Sequence, residues 1–124
     1  MLIYCDGRPA SVDDLQSLAL ANQGHFTSMQ VRGRAVRGLG LHLRRLRAGT
    51  RDVFDLALDD ARVLAGMAAA LDAAGLDDAR MRVTVVARDF DMGKPDLARE
   101  LALLVSLAPL QQAEPVALWV KGCR

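Results

Sequence analysis

The chain has 124 residues, 52 % of them apolar and 25 % charged, with a formal net charge of +1. This is one domain's worth of chain in the ordinary globular balance, and its near-neutrality gives no general pull toward nucleic acid or acidic membranes. The five aromatic residues (Tyr4, Phe26, Phe54, Phe90 and Trp119) are so few that the core must be aliphatic.

Leu2–Cys5 reads as a short apolar strand, and Asp6-Gly7 as a hairpin turn leading into Arg8-Pro9-Ala10. Ser11 followed three residues later by Asp14 is a capping-box variant that starts a short helix through Leu15, Leu18 and Ala19. Asn22-Gln23-Gly24 ends it. A strand over 26–31, a turn at Arg32-Gly33 and a return strand over 34–36 follow, and Gly38 and Gly40 precede the next helix.

That helix is expected over 41–54, with Leu39, Leu43, Leu46, Val53 and Ala57 as its apolar stripe and Arg44, Arg47, Arg51 and Asp52 opposite. Asp59-Asp60 opens a second helix, where negative charge suits the dipole. Its stripe is Val63, Leu64, Met67, Leu71 and Ala74, and Gly75 closes it. Residues 81–88 alternate and are β-branched, which predicts a strand with Met81, Val83, Val85 and Ala87 on one face. A long loop over 89–96 contains Gly93 and Pro95. Residues 101–107 fit a helix by composition and a strand by alternation, and a final strand is expected over 116–120. Two adjacent central helices among strands suit an α+β two-layer sandwich: a mainly antiparallel sheet with helices packed on one face.

Cys5 and Cys123 form no C-x-x-C pair and have no histidine at ligand spacing, so they are expected to be free thiols, and no metal site is expected. Met1-Leu2-Ile3-Tyr4 carries no signal-peptide pattern, and no apolar run approaches the ~20 residues of a membrane helix. The expectation is a cytoplasmic protein without a membrane partner. Seven arginines between Arg32 and Arg51 invite a nucleic-acid reading. Against it stand the near-neutral charge, only two lysines and no interleaved aromatic platform.

The run NQGHFTSMQVRGRAVRGLGLHLRRLRAGTRDVF, from Asn22 to Phe54, reads as strand, tight turn, strand and helix. With Gly24-His25-Phe26 at its head and His42-Leu43-Arg44-Arg45-Leu46 at its foot, it resembles the small N-terminal domain of the class IV, or fold type IV, pyridoxal-phosphate enzymes. These are the branched-chain and D-amino acid aminotransferases and aminodeoxychorismate lyase. The resemblance covers essentially all of this chain but only the first half or less of a complete enzyme. It places a strand at 101–107, which decides that ambiguity.

The resemblance implies that Arg45 reaches the cofactor phosphate, a role suited to a planar guanidinium that offers two parallel donors and stays charged. Arg45 could otherwise be one more solvated helix arginine, paired with Asp52 or Asp55. His42 would be structural support for that helix. Phe26 would wall the substrate pocket, or else be an ordinary core aromatic. Thr27 departs from the family's usual glutamate, and Gln30 stands where an arginine often follows. In Arg80-Met81-Arg82, Arg82 falls on the arginine of a Tyr-x-Arg motif that touches the substrate carboxylate, while Arg80 replaces the tyrosine. Arg82 is otherwise a sheet-edge charge.

Transamination needs a lysine to carry the cofactor. In the family it lies in the second domain, and neither Lys94 nor Lys121 matches its position. Residues 1–124 are therefore expected to be a single domain without the catalytic-lysine domain, the N-terminal part or a truncated form of a class IV enzyme. The chain would have no catalytic residue, be inactive alone, and hold no pyridoxal phosphate stably, although the complete enzyme would use it on amino acids and keto acids. The alternative is a non-catalytic α+β domain retained for oligomerisation or small-anion binding. A homodimer is expected, joined through the apolar strands at 101–107 and 116–120.

Overall fold

The computed structural model describes residues 1–21, 24–87 and 100–110. Lys94, Lys121, Cys123, the loop over 89–96 and the strand expected over 116–120 lie outside them. The elements run β1 (Leu2–Cys5), β2 (Arg8–Pro9), α1 (Val12–Ala21), β3 (Gly24–Arg32), β4 (Ala35–Val36), α2 (Leu39–Phe54), α3 (Asp60–Ala74), β5 (Ala79–Ala87) and β6 (Leu101–Ala108). All strand pairs are antiparallel, in the order β2-β1-β6-β5-β3-β4.

Two tight hairpins set the register. Asp6 and Gly7 both have positive φ between the paired residues Cys5 and Arg8, and Gly33 and Arg34 do the same between Arg32 and Ala35. Two consecutive positive-φ residues are the two-residue turn that matches the twist of the strands. The second tip is also pinned from outside. Asp78 accepts from the Gly33 N–H at 2.6 Å, the Arg34 N–H donates to the Asp77 carbonyl at 2.9 Å, and the Arg34 guanidinium pairs with Asp72 at 3.0 Å.

The helices start and stop for local reasons. At the head of α1, Asp14 Oδ2 accepts from the Ser11 N–H at 2.7 Å and the Asp14 N–H donates to Ser11 Oγ at 3.3 Å, the reciprocal capping box. Asp59 caps α3 by accepting from the Ala61 N–H at 3.0 Å, and left-handed Gly75 ends it. α2 begins two residues earlier than the expected start at 41, at Leu39 after left-handed Gly38, whose lack of a side chain leaves the helix without a side-chain cap.

The two long helices cover one face of the sheet. Met29 and Val31 of β3, Met81, Val83 and Val85 of β5, and Leu103, Val105 and Leu107 of β6 meet Leu43 and Leu46 of α2 and Val63, Met67, Ala70 and Leu71 of α3. At one end of the opposite face, Leu15 of α1 packs against Cys5, Val86, Ala102 and Leu104.

Three expectations need correction. Leu64 is 40 % exposed, because Gly66 and Ala70 turn inward instead and let α3 approach the sheet closely. A Cβ at Gly66 would stand 3.5 Å from Leu103 Cδ1. Thr50, not an aliphatic residue, fills the inward position one turn past Leu46 and is fully buried. Residues 101–107 do form a strand, but not one that offers a bare dimer surface. It lies between β1 and β5, with Leu101 through Val105 and Leu107 buried.

Candidate functional site

β3 alternates, so His25, Thr27, Met29 and Val31 share its inward face while Phe26, Ser28 and Gln30 look outward. The first two inward residues are polar, and α2 meets them with polar partners. Thr27 Oγ1 lies 2.7 Å from His42 Nδ1, and His25 Nε2 lies 2.9 Å from Thr50 Oγ1. The Thr50 hydroxyl donates to the Leu46 carbonyl at 2.8 Å. Its single proton is thereby committed, so His25 donates through an Nε2–H. Burial lowers the His25 pKa below the usual imidazole value, consistent with a neutral ring. That ring packs against Gly49, leaving no room for a side chain there, and is 6.2 Å from the Phe54 ring, centroid to centroid.

Arg45 is exposed on the second turn of α2, one turn beyond His42, where the helix start at 41 put it on the first. Its Nη1 donates to Thr27 Oγ1 at 3.5 Å. Neither Asp52 nor Asp55 pairs with it among the described residues. Helical side chains lean toward the N-terminus, so Arg45 is directed to the start of α2, where the Leu41 and His42 N–H groups bond the Gly38 carbonyl and those of Leu39 and Gly40 have no backbone partner among the described residues. That end carries no acidic residue in its first turn.

On the outward face, Phe26 is 51 % exposed and so is no core aromatic. The Arg82 guanidinium stacks on its ring at 4.3 Å from the centroid, and Arg82 Nε donates to Ser28 Oγ at 3.3 Å. Such a stack contributes about 0.5–1 kcal/mol at an exposed site. It also leaves both terminal nitrogens of Arg82 without a hydrogen bond among the described residues. Ser28, Gln30, Arg80, Arg82 and Ser106 line an open basin of about 590 Å³ with His42 at its side. The structure therefore brings Phe26 and Arg82 into contact. It leaves Arg45 apart from them, with His42 common to both groups: His42 bonds Thr27 beside Arg45 and lines the basin of Arg82.

A separate cleft of about 320 Å³ lies against Arg44, Arg47, Ala48, Arg51, Ala57 and Leu58, and does not include Arg45. Arg47 there is held by Asp60 at 2.6 Å. No cluster of three metal-ligating side chains occurs among the described residues, and no helix among them is long and apolar enough to cross a membrane.

Sequence reasoning singled out Arg45, His42, Phe26 and Arg82 but not the pairing of His25 with Thr50 or of Thr27 with His42. The available signal was two polar residues at inward positions of β3, each needing a buried partner.

No curated protein sequence matches the chain. Among solved structures, 4-amino-4-deoxychorismate lyase from Pseudomonas aeruginosa is similar at a TM-score of 0.68 and 28 % identity, over 87 % of this chain and 40 % of that one. The branched-chain amino acid aminotransferase of Escherichia coli superposes with a TM-score of 0.63 at 17 % identity, over 88 % of this chain and 40 % of its own. The branched-chain aminotransferase of the archaeon Thermoproteus uzoniensis, with norvaline, gives 0.66 at 15 %, over 90 % and 41 %. At those lower identities the likeness is one of fold. The chain thus spans about 40 % of the length of these structures. The family model for amino-transferase class IV matches residues 24–123, most of the chain including the β3-to-α2 segment just described. The chain belongs to the class IV aminotransferase family.

Proposed function

We propose that this chain is the small-domain part of a pyridoxal-phosphate-dependent class IV enzyme, an aminotransferase or aminodeoxychorismate lyase, and that Arg45 with the N-terminus of α2 receives the cofactor phosphate. One observation carries the reading: an exposed guanidinium without an acidic partner among the described residues leans toward a helix N-terminus that has neither a side-chain cap nor an acid in its first turn. Free N–H groups, the positive end of the dipole and a forked cation all favour a phosphate. When bound, pyridoxal phosphate supplies the electron sink for chemistry at the substrate's α-carbon. The chain's own contribution is to bind and orient. Arg45 holds the phosphate, Phe26 walls the substrate side, and Arg82, steadied by Phe26 and Ser28, offers its terminal nitrogens to the carboxylate of an amino or keto acid. The lysine that carries the cofactor is assigned to the part of the family's length that this chain does not span. On this reading residues 1–124 act as a single domain that is inactive alone and holds no cofactor stably.

Inorganic phosphate should still bind weakly. Half of the phosphate cup is missing on this reading, so the dissociation constant should be no better than roughly millimolar, about 4 kcal/mol in all. In an NMR titration, Arg45→Ala should abolish the response and Arg44→Ala should not, since Arg44 lines the separate cleft. Equal losses from both would mean attraction to the arginine cluster at large. That outcome would instead favour the second reading, a non-catalytic small-anion domain, which the cleft at Arg44, Arg47 and Arg51 supports. The chain is also proposed to form a homodimer, as the family does. A monomer by light scattering at tens of micromolar would count against this.

A further inference from the structure

The Thr27 hydroxyl stands between His42 and Arg45, and only 1 % of the residue is exposed. A guanidinium can only donate, so Thr27 Oγ1 is the acceptor for Arg45 Nη1 at 3.5 Å. A buried hydroxyl must also place its own proton, and His42 Nδ1 at 2.7 Å is the acceptor within reach. The directions then run one way. Arg45 donates to Thr27, Thr27 donates to His42, and His42 carries its proton on Nε2.

We propose that Thr27 is a positioning residue that aims the Arg45 guanidinium through this chain of hydrogen bonds, an inference that rests on the phosphate reading of Arg45. An exposed arginine is free over many rotamers, and a hydroxyl fixed on a strand removes much of that freedom. One terminal nitrogen is held, while the other and Nε stay available for two phosphate oxygens. The residue type matters as well. A carboxylate at position 27 would hold the guanidinium by an ion pair, whereas a hydroxyl orients it by a hydrogen bond and adds no charge of its own. The departure from the family's usual glutamate thus has a physical consequence at Arg45. The structure shows no comparable anchor for Arg44, which makes no hydrogen bond to a side chain among the described residues.

The test uses the intact chain, Thr27→Val, which keeps the shape and loses the hydroxyl, and Thr27→Ser, which keeps the hydroxyl. Long-range proton–nitrogen NMR of the unaltered protein should find His42 Nδ1 unprotonated and Nε2 protonated. The Arg45 side-chain N–H signal should exchange faster and move more in Thr27→Val, and recover in Thr27→Ser. Phosphate binding should weaken about five-fold in Thr27→Val, the loss of roughly one hydrogen bond, and return in Thr27→Ser. A merely structural strut would lower stability without moving the Arg45 signal, and that result would overturn the proposal. So would a protonated Nδ1 on His42 in the unaltered chain, a measurement that stands even if Thr27→Val fails to fold. If the Arg45 signal responds as expected but no form binds phosphate, the positioning link is supported and the phosphate reading of Arg45 fails.

Discussion

Gly49→Ala should destabilise the protein by about 2 kcal/mol, although alanine is the better helix former. Gly49 sits inside α2, where the exchange ordinarily gains close to ~1 kcal/mol. Here a Cβ would stand 2.5 Å from His25 Nδ1, 2.8 Å from Cε1 and 2.9 Å from Cγ. The ring cannot simply swing away, because its Nε2 is bonded to buried Thr50 and the Phe54 ring lies tilted beside it. Forcing extra volume into a packed contact costs ~1–3 kcal/mol, and the His25–Thr50 bond adds ~1 kcal/mol when broken. For a chain of this size the melting midpoint should fall by about 8 °C. Gly40→Ala, on the same helix, would meet nothing within 4 Å and should be neutral or slightly stabilising. The decisive comparison is in a His25→Ala background. With the ring gone, Gly49→Ala should change sign and stabilise. A loss of equal size there would show that the ring is not the cause.

Asp14→Ala should cost about 2–4 kcal/mol, seen as a urea midpoint lower by about 1–2 M. The carboxylate's side chain is only 2 % exposed. It accepts from the Ser11 N–H at 2.7 Å, from Ser11 Oγ at 3.0 Å, and from both terminal nitrogens of Arg8 at 2.7 and 2.8 Å. Removing it breaks the carboxylate half of the α1 capping box, unties the β2 strand that carries Arg8, and loosens the helix whose Leu15 covers Val86, Ala102 and Leu104. Hydrogen bonds to a buried charge contribute more than neutral ones. Arg8→Ala should cost clearly less, since the arginine side chain is 51 % exposed and the Ser11 contacts survive its loss. Equal costs would mean that the ion pair, not the cap, holds α1 in place.

Local chemistry was legible in the sequence. The Asp6-Gly7 turn, the Ser11–Asp14 box, the helix start at Asp59-Asp60 and the Gly75 stop all involve residues within a few positions of one another, so local pattern alone identifies them. The ordered run from Gly24 to Phe54 was legible as well, and it carried the family. Arg45, Phe26 and Arg82 could be singled out from their motifs, yet nothing in the motifs said that Phe26 would stack on Arg82 or that Arg45 would stand apart beside Thr27.

Those arrangements depend on which face of one element meets which face of another. Residues 101–107 show the difference. Composition favoured a helix, but a strand placed between β1 and β5 buries Leu103, Val105 and Leu107 under the helices and Ala102 and Leu104 under α1, and burial on both faces outweighs a weak local propensity. The same holds for Leu64, exposed because small Gly66 and Ala70 admit the sheet more closely. It holds also for His25 and Thr50, polar residues that can be buried only because the packing of β3 on α2 pairs them. The sequence by itself determined most of the described elements, the Ser11–Asp14 box, the Gly75 stop and the family resemblance, because these are set by neighbours along the chain. Only the tertiary structure decided the partners of His25 and Thr27 and the aim of Arg45 and Arg82, because those partners are 15 to 54 residues apart in sequence and meet only when the sheet and helices pack.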